Sequence, residues 1–254
     1  MSEISASSGT KDRVAVVTGA GSGIGRATTL LLASEGTRVL AADLQETAAA
    51  DTAAQADGTV IPATVDVSDE GAVEQLFALC EQELGTPTLL ANIAGVGSTT
   101  NAPDTSLEVW EQVFAVNSRG TFLCCKYAIP RMVDAGGGSI VNMASVAGLV
   151  GLKNRAAYCA SKGAVIALTR ALALDHVADK VRVNCICPGT VDSPWVRRLL
   201  DEAGEPIDSL VARQPLGRLG TPQEIAAAVL YVASDAAAFM TGTALVIDGG
   251  LTAG

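Results

Sequence analysis

The fold is decided by the stretch Val14-Ala15-Val16-Val17-Thr18-Gly19-Ala20-Gly21-Ser22-Gly23-Ile24-Gly25. Four apolar residues in succession precede Thr18, which is typical of a strand whose two faces are both covered by helices. The glycines that follow permit a tight turn and a close approach of another group to the backbone. Ala- and Leu-rich sequence with helical spacing comes next, so the pattern predicts a strand, a glycine-rich turn and a helix.

The same strand–helix alternation continues along the chain. Short β-branched runs are separated by longer stretches with helical spacing, which indicates a doubly wound parallel sheet. The predicted strands are Val14–Thr18, Arg38–Asp43, Thr59–Val65, Thr88–Asn92, Ser139–Met143, Val181–Cys187 and Ala244–Ile247. We therefore predict an α/β fold: a single-domain, Rossmann-like sheet of about seven parallel strands with helices on both faces.

Two helix starts carry the pattern of a capping box. In Thr221-Pro222-Gln223-Glu224, Thr221 is predicted as the N-cap, with Pro and Glu in the first turn of a helix that ends near Ala233. The stretch Thr105-Ser106-Leu107-Glu108 predicts the same arrangement for the helix that carries Trp110 and Phe114, with Thr105 as the N-cap.

The domain organisation is predicted to be simple. Residues 12–254 show no repeat, linker or break in composition, and we interpret them as one domain. Residues 1–11 are small and polar and lack the apolar core of a signal peptide, so they predict a disordered tail. The segment 189–220 contains Pro194, Pro206 and Pro215 and little periodicity. A long segment of this kind in a compact domain is usually a functional lid.

Composition excludes several classes of protein. The chain of 254 residues has 17 Lys and Arg against 27 Asp and Glu, a net charge of −10, and it is 49% hydrophobic. It can bury a large core, which excludes overall disorder. Its acidity argues against binding to nucleic acid or to anionic membranes, and no run of about 18 apolar residues predicts a membrane span. We expect a cytoplasmic protein.

Cysteine and histidine usage argues against metal and disulfide chemistry. The six cysteines contain no Cys-x-x-Cys spacing, so we expect reduced thiols in the core and no metal site. His176 is the single histidine, and its predicted place is the surface of a helix. Ser-His-Asp catalysis would have no other histidine to use.

The glycine-rich turn and Asp43 together point to a dinucleotide. Free N–H groups and the positive end of the helix dipole suit a pyrophosphate. Asp43 ends the second strand, where a carboxylate accepts both hydroxyls of an adenosine ribose and repels a 2′-phosphate. Ser22 stands where a Lys or Arg would bind that phosphate. These residues predict NAD as the cofactor.

A tyrosine and a lysine share one helix face further along the chain. Tyr158 and Lys162 stand four residues apart in Tyr158-Cys159-Ala160-Ser161-Lys162. A nearby ammonium favours the phenolate, which lets the tyrosine exchange a proton with a substrate hydroxyl. Ser145 follows the fifth predicted strand and supplies a hydroxyl that can orient the substrate oxygen.

In combination and in order, these motifs resemble the short-chain dehydrogenase/reductase family from Arg13 to the C-terminus. The motifs that carry the resemblance are Thr18-Gly19 with Gly23-Ile24-Gly25, Asp66-Val67, Asn92-Ile93-Ala94-Gly95, Asn117, Ser145, Tyr158 with Lys162, and Pro188-Gly189. The family often has Asn where Ile93 stands and Thr where Ser193 stands. The resemblance also implies a homotetramer.

The resemblance implies a role for each matching residue. Tyr158 is the expected general acid–base, and Lys162 is expected to lower its pKa and hold the nicotinamide ribose. Ser145 is expected to bind the substrate oxygen, and Asn117 to hold a water in a proton relay. The predicted cofactor-binding residues are Gly19, Ser22, Gly23, Ile24, Gly25, Asp43, Leu44, Asp66, Val67, Asn92, Ala94, Gly95, Tyr158, Lys162, Pro188, Gly189, Val191 and Ser193.

Arg155 and Arg213 raise the question of the substrate. Together with the sequence from Cys185 to Pro194, they resemble the branch of the family that holds cytosolic 3-hydroxybutyrate dehydrogenase and 2-keto-3-deoxy-L-fuconate dehydrogenase. In that branch, arginines at these positions bind the substrate carboxylate, which a guanidinium pairs bidentately. A small hydroxy acid is therefore one expected substrate, and a neutral alcohol or an acyl thioester is the alternative.

Three functions stay open on the sequence alone. The first is an NAD-dependent oxidoreductase that interconverts a secondary alcohol and its ketone. The second is a 3-oxoacyl carrier-protein or acyl-CoA reductase; such enzymes usually prefer NADPH, which Asp43 disfavours. The third is a catalytically silent NAD-binding protein, which the complete set of Asn117, Ser145, Tyr158 and Lys162 disfavours.

Overall fold

The computed structural model describes residues 9–204 and 206–253, and it contains one seven-stranded sheet. All neighbouring strands are parallel, and their order is β3-β2-β1-β4-β5-β6-β7. The strands are β1 Val14–Thr18, β2 Arg38–Asp43, β3 Val60–Thr64, β4 Leu89–Asn92, β5 Gly138–Met143, β6 Val181–Pro188 and β7 Ala244–Ile247. The predicted Rossmann-like sheet and all seven predicted strands are confirmed.

Helices connect the strands in the alternating order that the sequence predicts. They are α1 Gly23–Ser34, α2 Glu46–Ala54, α3 Glu70–Glu83, α4 Leu107–Phe114, α5 Thr121–Asp134, α6 Ala156–Asp175, α7 Pro194–Ala203, α8 Asp208–Val211 and α9 Pro222–Ala233. A π-helical segment, Ala115–Gly120, joins α4 to α5.

The sheet separates two apolar cores, one on each face. Val14 and Val16 of β1 point into the core that α3 and α5 cover, whereas Ala15 and Val17 point into the core that α1 and α9 cover. Because successive side chains of a strand point to opposite faces, a strand between two cores must be apolar throughout. This is why the run that opens β1 does not alternate with polar residues.

The structure describes only the end of the predicted N-terminal tail, residues 9–11. Residues 1–8 of the predicted tail lie outside the described residues. Thr10 is fully buried, and its carbonyl oxygen accepts hydrogen bonds from Arg13 N at 3.2 Å and Thr37 Oγ1 at 2.9 Å. Residues 9–11 therefore pack against the domain instead of belonging to a disordered tail.

One of the two predicted capping boxes is confirmed. The other is wrong, because that helix begins one residue later and has Val109, not Glu, three residues after its N-cap. Thr221 accepts a hydrogen bond from Glu224 N, and the Glu224 side chain accepts one from Thr221 N. In the upstream helix the N-cap is Ser106, not Thr105. The Thr105 hydroxyl instead donates to Asn101 O at 2.6 Å, which removes it from the cap.

The segment 189–220 is more regular than its sequence suggested. Ser193 caps α7 by accepting a hydrogen bond from Val196 N at 3.3 Å, with Pro194 in the first turn. The two ends of the segment pair through a parallel bridge between Val191 and Gly220. The segment is therefore a loop that is closed at its base and contains two helices, α7 and α8.

Helix α6 is, among the described residues, the single helix long and apolar enough for a membrane span by length and composition. Val165, Ile166 and Ala173 on one side of it are buried, and α6 packs along β6. The same helix carries Tyr158 and Lys162, so we interpret it as a core helix that presents the site.

Candidate active site

The carboxyl ends of the parallel strands meet at one edge of the sheet, where ligands bind in folds of this kind. A cavity of about 520 Å³ lies there. It brings together eleven of the predicted site residues, Ile24, Gly95, Ser145, Arg155, Tyr158, Lys162, Pro188, Gly189, Val191, Ser193 and Arg213. The other predicted residues lie outside its lining, and most of them follow strands β1 to β4 along the same edge.

The glycine-rich turn after β1 has the geometry that a pyrophosphate needs. Gly19 has φ of +69°, and a Cβ atom there would lie 2.8 Å from the backbone N and Cα of Ala94. Ser22 is the N-cap of α1, and its side chain makes no capping hydrogen bond. The first N–H groups of α1, beginning near Gly23 and Gly25, therefore remain available to an anion.

Asp43 lies at the end of β2 beside this turn. Its Oδ2 accepts a hydrogen bond from Gly21 N at 2.8 Å, and its Oδ1 accepts one from Gln45 N at 3.0 Å. The guanidinium of Arg26 is turned toward Gly21 O at 2.6 Å and Thr52 Oγ1 at 3.1 Å instead of toward Asp43. No described cation forms an ion pair with Asp43, and its carboxylate lies beside the turn where an adenosine ribose is expected.

Residues that follow β2 and β3 extend this edge. The Leu44 side chain is largely exposed, and Val67 is buried. The Oδ1 atom of Asp66 accepts hydrogen bonds from Ser68 N at 2.8 Å and Ser68 Oγ at 2.7 Å. The exposed Leu44 and Asp66 lie on the outer part of the edge, where the resemblance places the adenine.

The loop after β4 is tied to the glycine-rich turn. Thr18 Oγ1 accepts hydrogen bonds from Ile93 N at 3.2 Å and Ala94 N at 3.3 Å. Asn92 is buried, and its side-chain amide donates to Asn142 Oδ1 at 2.9 Å across to β5. Asn92 is therefore a structural link between strands, and Ala94 is held close to Gly19.

Ser145, Tyr158 and Lys162 converge on the cavity. Ser145 follows β5, and its Oγ accepts a hydrogen bond from Ala147 N at 3.1 Å. Burial raises the pKa of Tyr158, while a hydrogen bond to Ser145 and the charge of Arg155 oppose that rise. Lys162 is not among the groups that shift this pKa, so the expected lowering of the pKa of Tyr158 by Lys162 stays a prediction.

Lys162 is held by the backbone at the end of β5, close to the Tyr158 ring. Its Nζ donates to Met143 O at 2.7 Å and lies 5.8 Å from the centroid of the Tyr158 ring. Burial lowers the pKa of Lys162 itself to about 8. The ammonium is thus anchored to the end of β5, beside the Tyr158 ring.

Asn117 lies in the π-helical segment that interrupts the helix between α4 and α5. Its Oδ1 accepts from Val96 N at 2.8 Å, and its Nδ2 donates to Val96 O at 2.8 Å and Ser161 Oγ at 3.0 Å. Both amide hydrogens are therefore used, so the predicted relay water would bind to an acceptor of Asn117, either Oδ1 or the backbone carbonyl oxygen. The clearest effect of Asn117 is to fix the loop after β4.

Three cations line the cavity besides Lys162: Lys153, Arg155 and Arg213. Arg155 Nη1 donates to Ser98 O at 3.0 Å, and neither arginine forms an ion pair with a described residue. Burial and the nearby charge of Arg213 lower the pKa of Arg155. No Asp or Glu occurs among the described residues that line the cavity.

Much of the rest of the cavity wall is apolar, and sequence reasoning did not find it. Leu152 comes from the loop before α6, and several others come from α7, α8 and the C-terminal segment: Trp195, Val196, Leu199, Leu200, Leu210 and Leu251. By contrast, Arg197 and Arg218 form exposed ion pairs with Asp192 and Glu224, on the surface of the segment 189–220.

Metal and disulfide chemistry find no support within the described parts of the chain. No cluster of three His, Cys, Asp or Glu side chains that could hold a metal occurs there. All six cysteines are free, and all but Cys159 are buried. His176 ends α6 and pairs with Asp179 at 3.0 Å.

Comparison with known proteins places this architecture in a family. The sequence model of a family described as Enoyl-(Acyl carrier protein) reductase matches residues 19–252. The chain belongs to the short-chain dehydrogenase/reductase family. It is 41% identical over 249 residues to 2-(S)-hydroxypropyl-CoM dehydrogenase 3 of Xanthobacter autotrophicus, with 96% of this chain and 98% of that protein covered.

Two further proteins support the assignment. Cis-4-hydroxycyclohexanecarboxylate dehydrogenase of Sinomonas cyclohexanicum is 41% identical over 249 residues, which cover 95% of this chain and 97% of that protein. A solved structure named as ribose-5-phosphate isomerase from Brucella melitensis superposes with a TM-score of 0.91 at 36% identity, over 96% of this chain and 94% of that one. Its name differs, but its fold is the same. This protein is an oxidoreductase that acts on CH–OH groups.

Proposed function

We propose that this protein is an NAD-dependent dehydrogenase that oxidises a secondary alcohol bearing a carboxylate. The observation that carries the proposal is the charge of the cavity. A chain with a net charge of −10 places Lys153, Arg155, Lys162 and Arg213 around one cavity, with no acidic residue among the described lining. Confined like charges without partners are costly, and an anionic substrate offsets that cost.

The arginines suit a carboxylate better than a neutral group. Each guanidinium presents a planar set of donors that matches the two oxygens of a carboxylate. Arg155 uses one of its donors on Ser98 O, which leaves others free to turn toward the cavity. A short hydroxy acid held there would present its carbinol carbon near Tyr158. The candidates are 3-hydroxybutyrate and a deoxy sugar acid, and the name of the Sinomonas relative adds a hydroxycyclohexanecarboxylate.

The chemistry follows from three side chains. Ser145 holds the carbinol oxygen, and Tyr158 takes the proton from the substrate hydroxyl as general base. NAD, which Asp43 and Lys162 would help to hold, would supply the acceptor for the hydride that leaves the carbinol carbon. Because burial raises the pKa of Tyr158, the positive charge of Arg155 and the bond from Ser145 matter for reaching the phenolate. Lys162, whose Nζ donates to Met143 O and whose pKa burial lowers to about 8, is the residue that would hold the nicotinamide ribose.

Asp43 supports NAD over NADP. Its carboxylate lies beside the glycine-rich turn, where a 2′-phosphate would meet it. We further propose that the segment 189–220 acts as a lid, that the protein is cytoplasmic, and that it forms a homotetramer as the family resemblance implies.

A substrate panel tests the proposal. We expect turnover of hydroxy acids with NAD⁺, and KM increases of about tenfold or more in Arg155→Ala and Arg213→Ala for acids only. The methyl ester of the same acid should lose this dependence on the arginines. Arg198→Ala, at an exposed position outside the cavity lining, is the control. Activity on acyl thioesters alone would assign the reductase function instead, and activity on neutral alcohols alone would assign a neutral substrate.

A further inference from the structure

Helix α7 and the loop after β4 make a close contact beside the cavity. Trp195, in the first turn of α7, lines the cavity, and its ring lies 6.0 Å from the Tyr158 ring, tilted by 38°. The benzo edge of the indole, at Cζ2, meets Gly97. A Cβ atom at Gly97 would overlap Trp195 Cζ2 and lie only 3.0 Å from Cη2 and 3.4 Å from Cε2. Not even a methyl group fits between the two.

The loop side of this contact is fixed from both directions. Val96, before Gly97, is held at its N–H and its carbonyl by the side chain of Asn117. Ser98, after Gly97, is buried, and its carbonyl accepts from Arg155. The backbone at Gly97 therefore cannot retreat without breaking hydrogen bonds, so any group added there must displace the indole.

The helix side is also anchored. Ser193 caps α7, and Val196 and Leu200 pack their side chains into the protein. Arg197 forms a two-bond fork with Asp192, at 2.7 Å for each bond, just before the helix. With α7 in this position, its cap, its packing and its ion pair hold the indole of Trp195 beside the phenol.

We propose that Trp195, seated against Gly97, sets the size limit for the carbinol substituent that does not carry the anion. This inference rests on the proposed reaction at Tyr158. The cations Arg155 and Arg213 take the anionic arm of the substrate, so the second substituent lies on the side that the indole encloses. Trp195 is then a specificity-determining residue, and Gly97 is the position that lets it sit close.

A homologous series of substrates measures this limit. In 3-hydroxybutyrate, 3-hydroxypentanoate and 3-hydroxyhexanoate the carboxylate arm is constant, and the second substituent grows from methyl to propyl. For the wild type we expect kcat/KM to fall about tenfold or more for each added carbon, the scale on which a closed apolar pocket discriminates one methylene. Trp195→Ala should flatten the series, and an unchanged series in Trp195→Ala would overturn the proposal.

Gly97→Ala provides a second test through the same contact. In the wild-type background, the added methyl group should change the ratio of kcat/KM for 3-hydroxybutyrate to that for 3-hydroxypentanoate by about tenfold, the scale for one methylene. In the Trp195→Ala background the ratio should hardly change, because the effects of residues in contact are not additive. Gly151→Ala is the matched control, since a Cβ there meets nothing within 4 Å. An equal effect of Gly97→Ala in both backgrounds would contradict the contact.

Fluorescence tests the contact independently of turnover. The chain has two tryptophans, and Trp110→Phe, which keeps the stacking on Phe114, leaves Trp195 as the single emitter. Gly97→Ala should shift its emission to longer wavelength and Gly151→Ala should not; an unchanged spectrum in Gly97→Ala would overturn the proposal.

If the wild type oxidises only neutral alcohols, the anionic part of the proposed function fails, and a series from 2-butanol to 2-hexanol still measures the size limit.

Discussion

Replacing Asp43 by Asn should weaken the preference for NAD⁺ over NADP⁺. The carboxylate accepts hydrogen bonds from Gly21 N and Gln45 N, at 2.8 Å and 3.0 Å, through different oxygens. Asn removes the charge, keeps the size of the side chain and retains one of the two acceptor oxygens. The variant therefore isolates the effect of charge on a 2′-phosphate from the shape of the turn.

The size of the effect is bounded by the surroundings of Asp43. Two unit charges about 4 Å apart repel by about 4 kcal/mol at an effective dielectric of about 20, and by about 1 kcal/mol in water. Asp43 is half-buried, so its environment lies between these limits. Since about 1.4 kcal/mol corresponds to tenfold, the ratio of kcat/KM for NAD⁺ to that for NADP⁺ should fall by between about 5-fold and about 1,000-fold.

Initial rates with both cofactors on one substrate give that ratio directly. Asp66→Asn is the matched control, because this exposed carboxylate follows the next strand of the sheet and is expected at the adenine. It should leave the ratio within about twofold, well below the lower Coulomb limit worked for Asp43. The reasoning is refuted if the wild type uses NADP⁺ as well as NAD⁺, or if Asp43→Asn and Asp66→Asn change the ratio equally.

Three other substitutions probe how the site is held. Lys162→Met removes a buried charge whose cost to the wild type is complete below pH 8. The difference in unfolding free energy between the variant and the wild type should narrow as pH rises above about 8, because the pKa of Lys162 is about 8 in the folded protein and about 10.4 in the unfolded chain. Urea unfolding at several pH values checks this. Thr221→Ala should cost about 1 kcal/mol of unfolding free energy through loss of its cap, measured in the same way. Gly25→Ala should destabilise the protein by about 1–3 kcal/mol, because the new Cβ overlaps the carbonyl of Gly19, whereas Gly151→Ala should not.

The sheet was predictable because its signal is local. A strand between two cores is apolar on both faces, and the turn residues that follow it are short-range features, so β1 and its glycine-rich turn can be recognised without tertiary contacts. The same holds for the cap at Thr221, whose partner is three residues away. At the other predicted cap, Ser106 replaces Thr105, because the Thr105 hydroxyl bonds to Asn101, a competition that the capping pattern alone does not show.

The parts of the site that were missed depend on contacts distant in sequence. Trp195 meets Gly97 across almost 100 positions, and the wall residues Leu199, Leu210 and Leu251 have no shared motif. Helix α7 was hidden in a segment rich in proline, although Ser193 and Pro194 give it an ordinary start. The electrostatic roles of Arg155 and Lys162 around the phenol also needed the structure, since spacing gives proximity but not the direction of each charge.

Tyr158→Phe tests the central claim, that the Tyr158 phenol exchanges a proton with the carbinol oxygen, most directly. The substitution keeps the ring beside Trp195 and removes only the hydroxyl. With the best substrate of the panel, we expect kcat to fall by at least about 100-fold, the scale of general acid–base catalysis, while the Kd for NADH stays within about threefold. A Tyr158→Phe enzyme with near wild-type kcat would contradict the assignment of this residue and, with it, the proposed reaction.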